Sequence, residues 1–173
     1  MRVDIILLVC LLVLGLLFVG QHVLYQRQVL ETLEASFQGI VGVQGVQLHQ
    51  GPDRLQVKIQ LAPVDNIKQT YGQLVQVARE SLTKENWMLV IEDGRNQFLE
   101  DVYYDMHFVV AEGIATGRFA TMAQRLETLA ETLDGHKFFV DGENVYIHLQ
   151  KDDAYLYEIV PRLPVTLGGG STD

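Results

Sequence analysis

The chain has 173 residues, 48% of them hydrophobic and 20% charged, with a formal net charge of −9. That length suits one ordinary domain or two very small ones, and the composition is too apolar for a disordered chain. The acidity disfavours phosphate backbones and anionic lipid headgroups, so neither a nucleic-acid partner nor attachment to a membrane through a basic patch is expected.

From Ile5 to Gly20 no side chain is polar, and Val3, Val23, Leu24 and Tyr25 extend the run. It thereby reaches the roughly 20 residues that cross hydrocarbon as a helix, the only single-segment structure that satisfies its own backbone polar groups in lipid. Residues 1–25 are expected to be a transmembrane anchor, with Ile5, Leu8, Leu12, Leu16 and Val19 among the side chains facing lipid. A cleaved signal peptide is the weaker alternative, because the small-residue site it needs is poorly matched by Phe18-Val19-Gly20. A buried core helix is a third. Arg2 and Arg27 flank the segment; the positive-inside bias slightly favours a cytoplasmic N-terminus and an extracytoplasmic domain. Cys10, the single cysteine, lies inside this run, so one chain can form neither a disulfide nor a thiolate zinc site.

Val29, Leu30, Leu33 and Phe37 recur at helical spacing and predict a helical stalk over residues 26–38. Gly39, Gly42 and Gly45 then lead to an alternating segment with Val46 and Leu48. The turn residues Gly51-Pro52-Asp53 precede a second one with Leu55, Val57, Ile59 and Leu61, so a hairpin is expected. Pro63 ends the strand and Asp65 can cap an amphipathic helix carrying Ile67, Tyr71, Leu74, Val75, Ala78 and Leu82. Trp87 to Ile91 reads as a third strand, broken by Asp93-Gly94-Arg95-Asn96.

A second amphipathic helix carries Phe98, Leu99, Val102, Tyr103, Met106, Val109, Val110 and Ile114, and is expected to loosen between Gly113 and Gly117. A third runs from Phe119 to Leu133, stopped by Asp134-Gly135. Strands over His136–Val140, Val145–Gln150 and Ala154–Val160 follow as a meander, and residues 166–173 read as a flexible tail. The order β-β-α-β-α-α-β-β-β predicts an α+β domain over 39–165 with mainly antiparallel strands, in one mixed sheet or two small ones. Two subdomains, 39–93 and 97–165, are an alternative division.

Chemistry is sparse. Asp101, Asp105 and Glu112 share one helical stripe, but at 100° per residue His107 points well over a right angle away, so one helix cannot gather them around a metal. His22, His49, His107, His136 and His148 lack the pairwise spacing of metal ligands, and His148, opposite Val145, Ile147 and Leu149 on its strand, is expected to be exposed. Ser36, Ser81 and Ser171 lack a nucleophile setting, and the glycines at 39, 42 and 45 match no phosphate loop. No catalytic residue, cofactor, metal or small-molecule ligand is expected. In the last strand Tyr155, Tyr157 and Ile159 share a face opposite Leu156 and Val160; the three are core or a candidate partner surface.

Anchor, stalk and small domain together resemble the layout of bitopic proteins in bacterial secretion, pilus and sporulation machines, whose α+β domains pack into rings or partner complexes at a membrane. The resemblance is one of layout, carried by no diagnostic motif. It implies a non-catalytic interaction or assembly module with a protein partner or its own copies. The alternative is a tethered enzyme or sensor using His107, Tyr103, Tyr104 and Glu112.

Overall fold

The computed structural model describes residues 35–82 and 86–162. The expected anchor with Ile5, Leu8, Leu12, Leu16 and Val19, most of the stalk and the tail lie outside the described residues. Among the described residues no helix is long and apolar enough to cross a membrane. The elements are β1 (Val43–Gln50), β2 (Leu55–Leu61), α1 (Ile67–Ser81), β3 (Trp87–Glu92), α2 (Gln97–Thr116), α3 (Phe119–Leu129), β4 (Gly135–Val140), β5 (Asn144–Lys151) and β6 (Ala154–Pro161).

The strands form two three-stranded sheets rather than one, ordered β1-β2-β3 and β4-β5-β6. The domain is thus a mixed α+β fold. β1 and β2 are an antiparallel hairpin, closed where the Gly51 N–H donates to the Arg54 carbonyl at 3.1 Å. β3 runs parallel to β2, which requires a crossover, and α1 supplies it. Strict alternation puts Leu55, Val57, Ile59 and Leu61 on the buried face of β2, where the first three pack with Leu74 and Ala78 of α1, Leu82 just beyond it, and Phe37. Asn66, not Asp65, caps α1: its side chain accepts from the Gln69 N–H at 3.1 Å. Asp65 points outward, beside Lys137.

β4, β5 and β6 are the expected antiparallel meander. Val145, Ile147, Leu149 and Leu156 pack against Leu99, Met106, Val109 and Val110 of α2 and Met122 and Leu126 of α3. α2 does not loosen at Gly113. It is continuous to Thr116 and ends at Gly117, whose φ of 68° is the left-handed stop that glycine tolerates. Packing overrides propensity at Gly113, because α3 lies so close that a Cβ there would be 2.9 Å from Met122 Cβ. α3 is shorter than expected, ending at Leu129.

Two glycine substitutions should therefore have opposite signs. At Gly72, exposed on α1 with nothing near an added Cβ, alanine should stabilise by about 1 kcal/mol through helix propensity. At Gly113 the same change should destabilise by about 1 kcal/mol, because overpacking outweighs propensity. Denaturant titration checks both, and equal signs would contradict the packing account.

The second face of the meander is also covered. Leu61, Val64 and Ile67 close on Tyr146 and Tyr157, forming a seam between the two sheets with Tyr71, Ile91, Phe139, Tyr155 and Ile159 at its margin. His148 is therefore buried, 7% exposed, against the expectation of exposure. Its strand has no solvent face at that point: the ring lies 4.8 Å from that of Tyr157, and neither ring nitrogen has a hydrogen-bond partner among the described residues.

Burial, reinforced by the positive charge of Lys137 and opposed by Asp65, pulls the His148 pKa down. Those two charges and the Tyr157 ring are what face it from β4, the loop before α1 and β6. The unfolded chain, with a histidine pKa near the usual value of about 6.5, then binds the proton more readily than the fold. This contribution to stability is fully present above pH 6.5 and is lost as pH falls from there through the folded-state pKa. His148→Phe should flatten the stability profile below about pH 6.5, read by denaturation at each pH. An unchanged slope would contradict the assignment.

Candidate interaction surface

The helix that covers the meander carries a second stripe, polar over its first turn and apolar beyond it. Gln97, Asp101, Tyr104, Phe108, Ala111 and Ala115 alternate at spacings of four and three, the heptad pattern of a helix seam. All six are exposed. At 100° per residue they lie opposite the buried Leu99, Met106, Val109, Val110 and Gly113, so the stripe points away from the core. Tyr104 is 66% exposed and Phe108 64%. Burying one such side chain is worth about 1.5–3 kcal/mol, a gain this chain leaves unused.

The rings are already gathered. His107 lies with its ring centre 3.8 Å from Phe108 and 5.0 Å from Tyr104, and one ring nitrogen meets the Tyr104 carbonyl. Tyr104 and Phe108 meet edge to face at 6.3 Å, an arrangement aromatic quadrupoles favour. Ala111 and Ala115 continue the stripe with almost no side chain, so the helix presents a raised aromatic half and a shallow half.

Charge divides the same way. Glu100, Asp101 and Asp105 flank the aromatic half. Beside the shallow half stand Arg118, just past the helix end, and Arg125, which reaches from α3 to pair with Glu112. Between them is a recess of about 30 Å³, lined by Val109, Glu112, Gly113, Thr116, Met122 and their neighbours. It has room for one water molecule and falls far short of the roughly 300 Å³ at which metabolite pockets begin.

The other sequence candidates fall elsewhere. Tyr155, Tyr157 and Ile159 are drawn into the seam between the sheets, Tyr157 only 2% exposed and the other two half-buried. Tyr155 donates to the Leu61 carbonyl at 2.9 Å, and the Tyr157 hydroxyl accepts from the Val64 N–H at 2.7 Å. Burial pushes the Tyr157 phenol up to about 12.

Of His107, Tyr103, Tyr104 and Glu112, only His107 and Tyr104 meet. Tyr103 packs at the edge of the helix and sheet core, where burial and the Glu158 charge raise its phenol to about 12, while Glu112 is held by Arg125 on the far side of α2. His136 pairs with Glu127 at 2.5 Å. No group of three or more His, Cys, Asp or Glu among the described residues could hold a metal.

The outward stripe was missed in sequence because its aromatics interleave with the acids of the solvated face. The signal that could have revealed it is the spacing: Tyr104, Phe108, Ala111 and Ala115 follow four-three-four while the core residues follow their own phase. No protein-family model matches the chain, and no match was found among curated proteins or among solved structures.

Proposed function

We propose that this protein is a membrane-tethered assembly module, anchored by residues 1–25, whose α+β domain joins a protein complex through the outward face of α2. The observation that carries the proposal is the exposed Tyr104–Phe108–Ala111–Ala115 seam. Monomeric proteins rarely spend ordered aromatics on a contiguous patch facing water, and heptad spacing is the pattern by which helices receive other helices. The apolar run from Ile5 to Tyr25 supports the tether. An extracytoplasmic domain is the orientation favoured by the flanking charges.

The test uses the full chain in its own membranes. Alkaline carbonate washing should leave it in the pellet, as for an integral protein. Extracted in mild detergent, wild-type chain should run as a complex that Phe108→Glu shrinks, at an unchanged melting temperature because the side chain is outside the core. Release by carbonate would remove the tether, and a complex of the same size in both would remove the assembly surface.

A further inference from the structure

We infer that the occupant of the α2 seam is the same seam of a second copy, packed antiparallel. This deepens the assembly reading and rests on it. Centring the pair between Phe108 and Ala111 sets Phe108 of each copy over Ala111 of the other, and Tyr104 over Ala115. Each large ring thereby meets the shallow part of the facing helix, the complementarity a knob needs from its hole. A parallel pair would instead stack ring on ring at one end and leave a gap between alanines at the other.

Charge selects the same direction. The acidic half with Glu100, Asp101 and Asp105 comes against the half where Arg118 stands beside the Arg125–Glu112 pair, and Asp101 falls opposite the turn after the helix that carries Arg118 of the second copy. In a parallel pair the acids would face one another. Helix dipoles also oppose favourably in the antiparallel form. The contact is self-complementary, as a two-fold interface must be. A seam of this length falls below the roughly 1,200 Å² of standard stable interfaces, so it is weak between free molecules. Holding both copies in one bilayer raises their effective concentration and makes such a seam sufficient.

The experiment uses the full chain in membranes with Cys10→Ser, which removes the single native thiol. Tyr104→Cys and Ala115→Cys are placed on separately tagged chains and co-expressed, then oxidised. The antiparallel register brings 104 of one copy against 115 of the other. It holds 104 from 104, and 115 from 115, about 16 Å apart along the axis, eleven residues at 1.5 Å each.

A mixed 104–115 disulfide is the expected product. Asp101→Arg on one of the two chains should lower its yield roughly fivefold, and Arg118→Asp on the other should restore it. Like-with-like disulfides exceeding the mixed one would overturn the antiparallel pair. No disulfide at all, with Phe108→Glu still shrinking the native complex, would overturn the second copy and leave assembly with another protein standing. No disulfide and no shrinkage would overturn both.

Discussion

Asp93→Ala should destabilise the fold by about 3 kcal/mol, among the largest single-site losses the structure contains. The Asp93 side chain is 1% exposed and sits just past β3. It accepts from Arg95 Nε at 2.8 Å and Nη2 at 2.9 Å, from the Arg95 N–H at 3.2 Å, and from the Tyr157 N–H at 2.7 Å. Arg95 in turn donates to Glu158 at 2.8 Å and to the Tyr157 carbonyl at 3.2 Å. The group therefore welds the end of the first sheet to the outer edge of the second, satisfying backbone groups of β6 that no neighbouring strand reaches.

Alanine would leave the Tyr157 N–H without a partner and Arg95 with one carboxylate in place of two. The loss lies near the lower end for broken buried pairs because about a third of Arg95 remains in water. Asp93→Asn should cost less, since one oxygen still accepts. Denaturant unfolding measures both; a loss below about 1 kcal/mol for alanine would show that the two sheets hold together without the weld.

Tyr157→Ala should cost about 4 kcal/mol, the range of buried aromatic truncations. The ring fills the seam against Val64, Ile67 and Tyr146, beside His148. Tyr157→Phe separates the two contributions. It keeps the packing but strips the hydroxyl from the buried Val64 N–H, and should cost about 1–2 kcal/mol. Equal losses for the two variants would mean that the hydroxyl, not the ring, closes the seam.

Both sites show where sequence reasoning stops. The segment Asp93-Gly94-Arg95-Asn96 reads as a strand break, which it is, because turn residues are recognisable locally. That it is also a joint depends on partners more than sixty residues away, Tyr155, Tyr157 and Glu158, which no local pattern encodes. Gly94 is part of the same joint: a Cβ there would stand 2.6 Å from the Tyr155 ring, so the glycine allows the close approach as well as the turn.

The order of the nine elements named among the described residues was legible because each has a strong period or turn signal, β2 and β5 above all. Whether they make one sheet or two was not, since pairing between β3 and the later strands is decided by long-range docking. The same limit explains His148, a polar residue on an alternating strand, which is exposed only if nothing covers that face. Here Leu61, Val64 and Ile67, more than eighty positions earlier, do cover it. On α2 the limit is different. The core face was legible, but Tyr104 entered only as a candidate beside His107 and Phe108 not at all, so the spacing they share with Ala111 and Ala115 went unread. Phe98, counted with the core face, is 42% exposed at the start of the helix.

The measurement that bears most directly on the assembly reading is site-specific photo-cross-linking of the full chain in cells. A photoreactive residue is placed at Phe108 on the outward face of α2 or, as a control, at Gln73, exposed on α1. A discrete adduct from position 108 and none from 73 is the expected result. No adduct from 108, or the same adducts from both positions, would contradict the assignment of that face as the place where this protein is assembled.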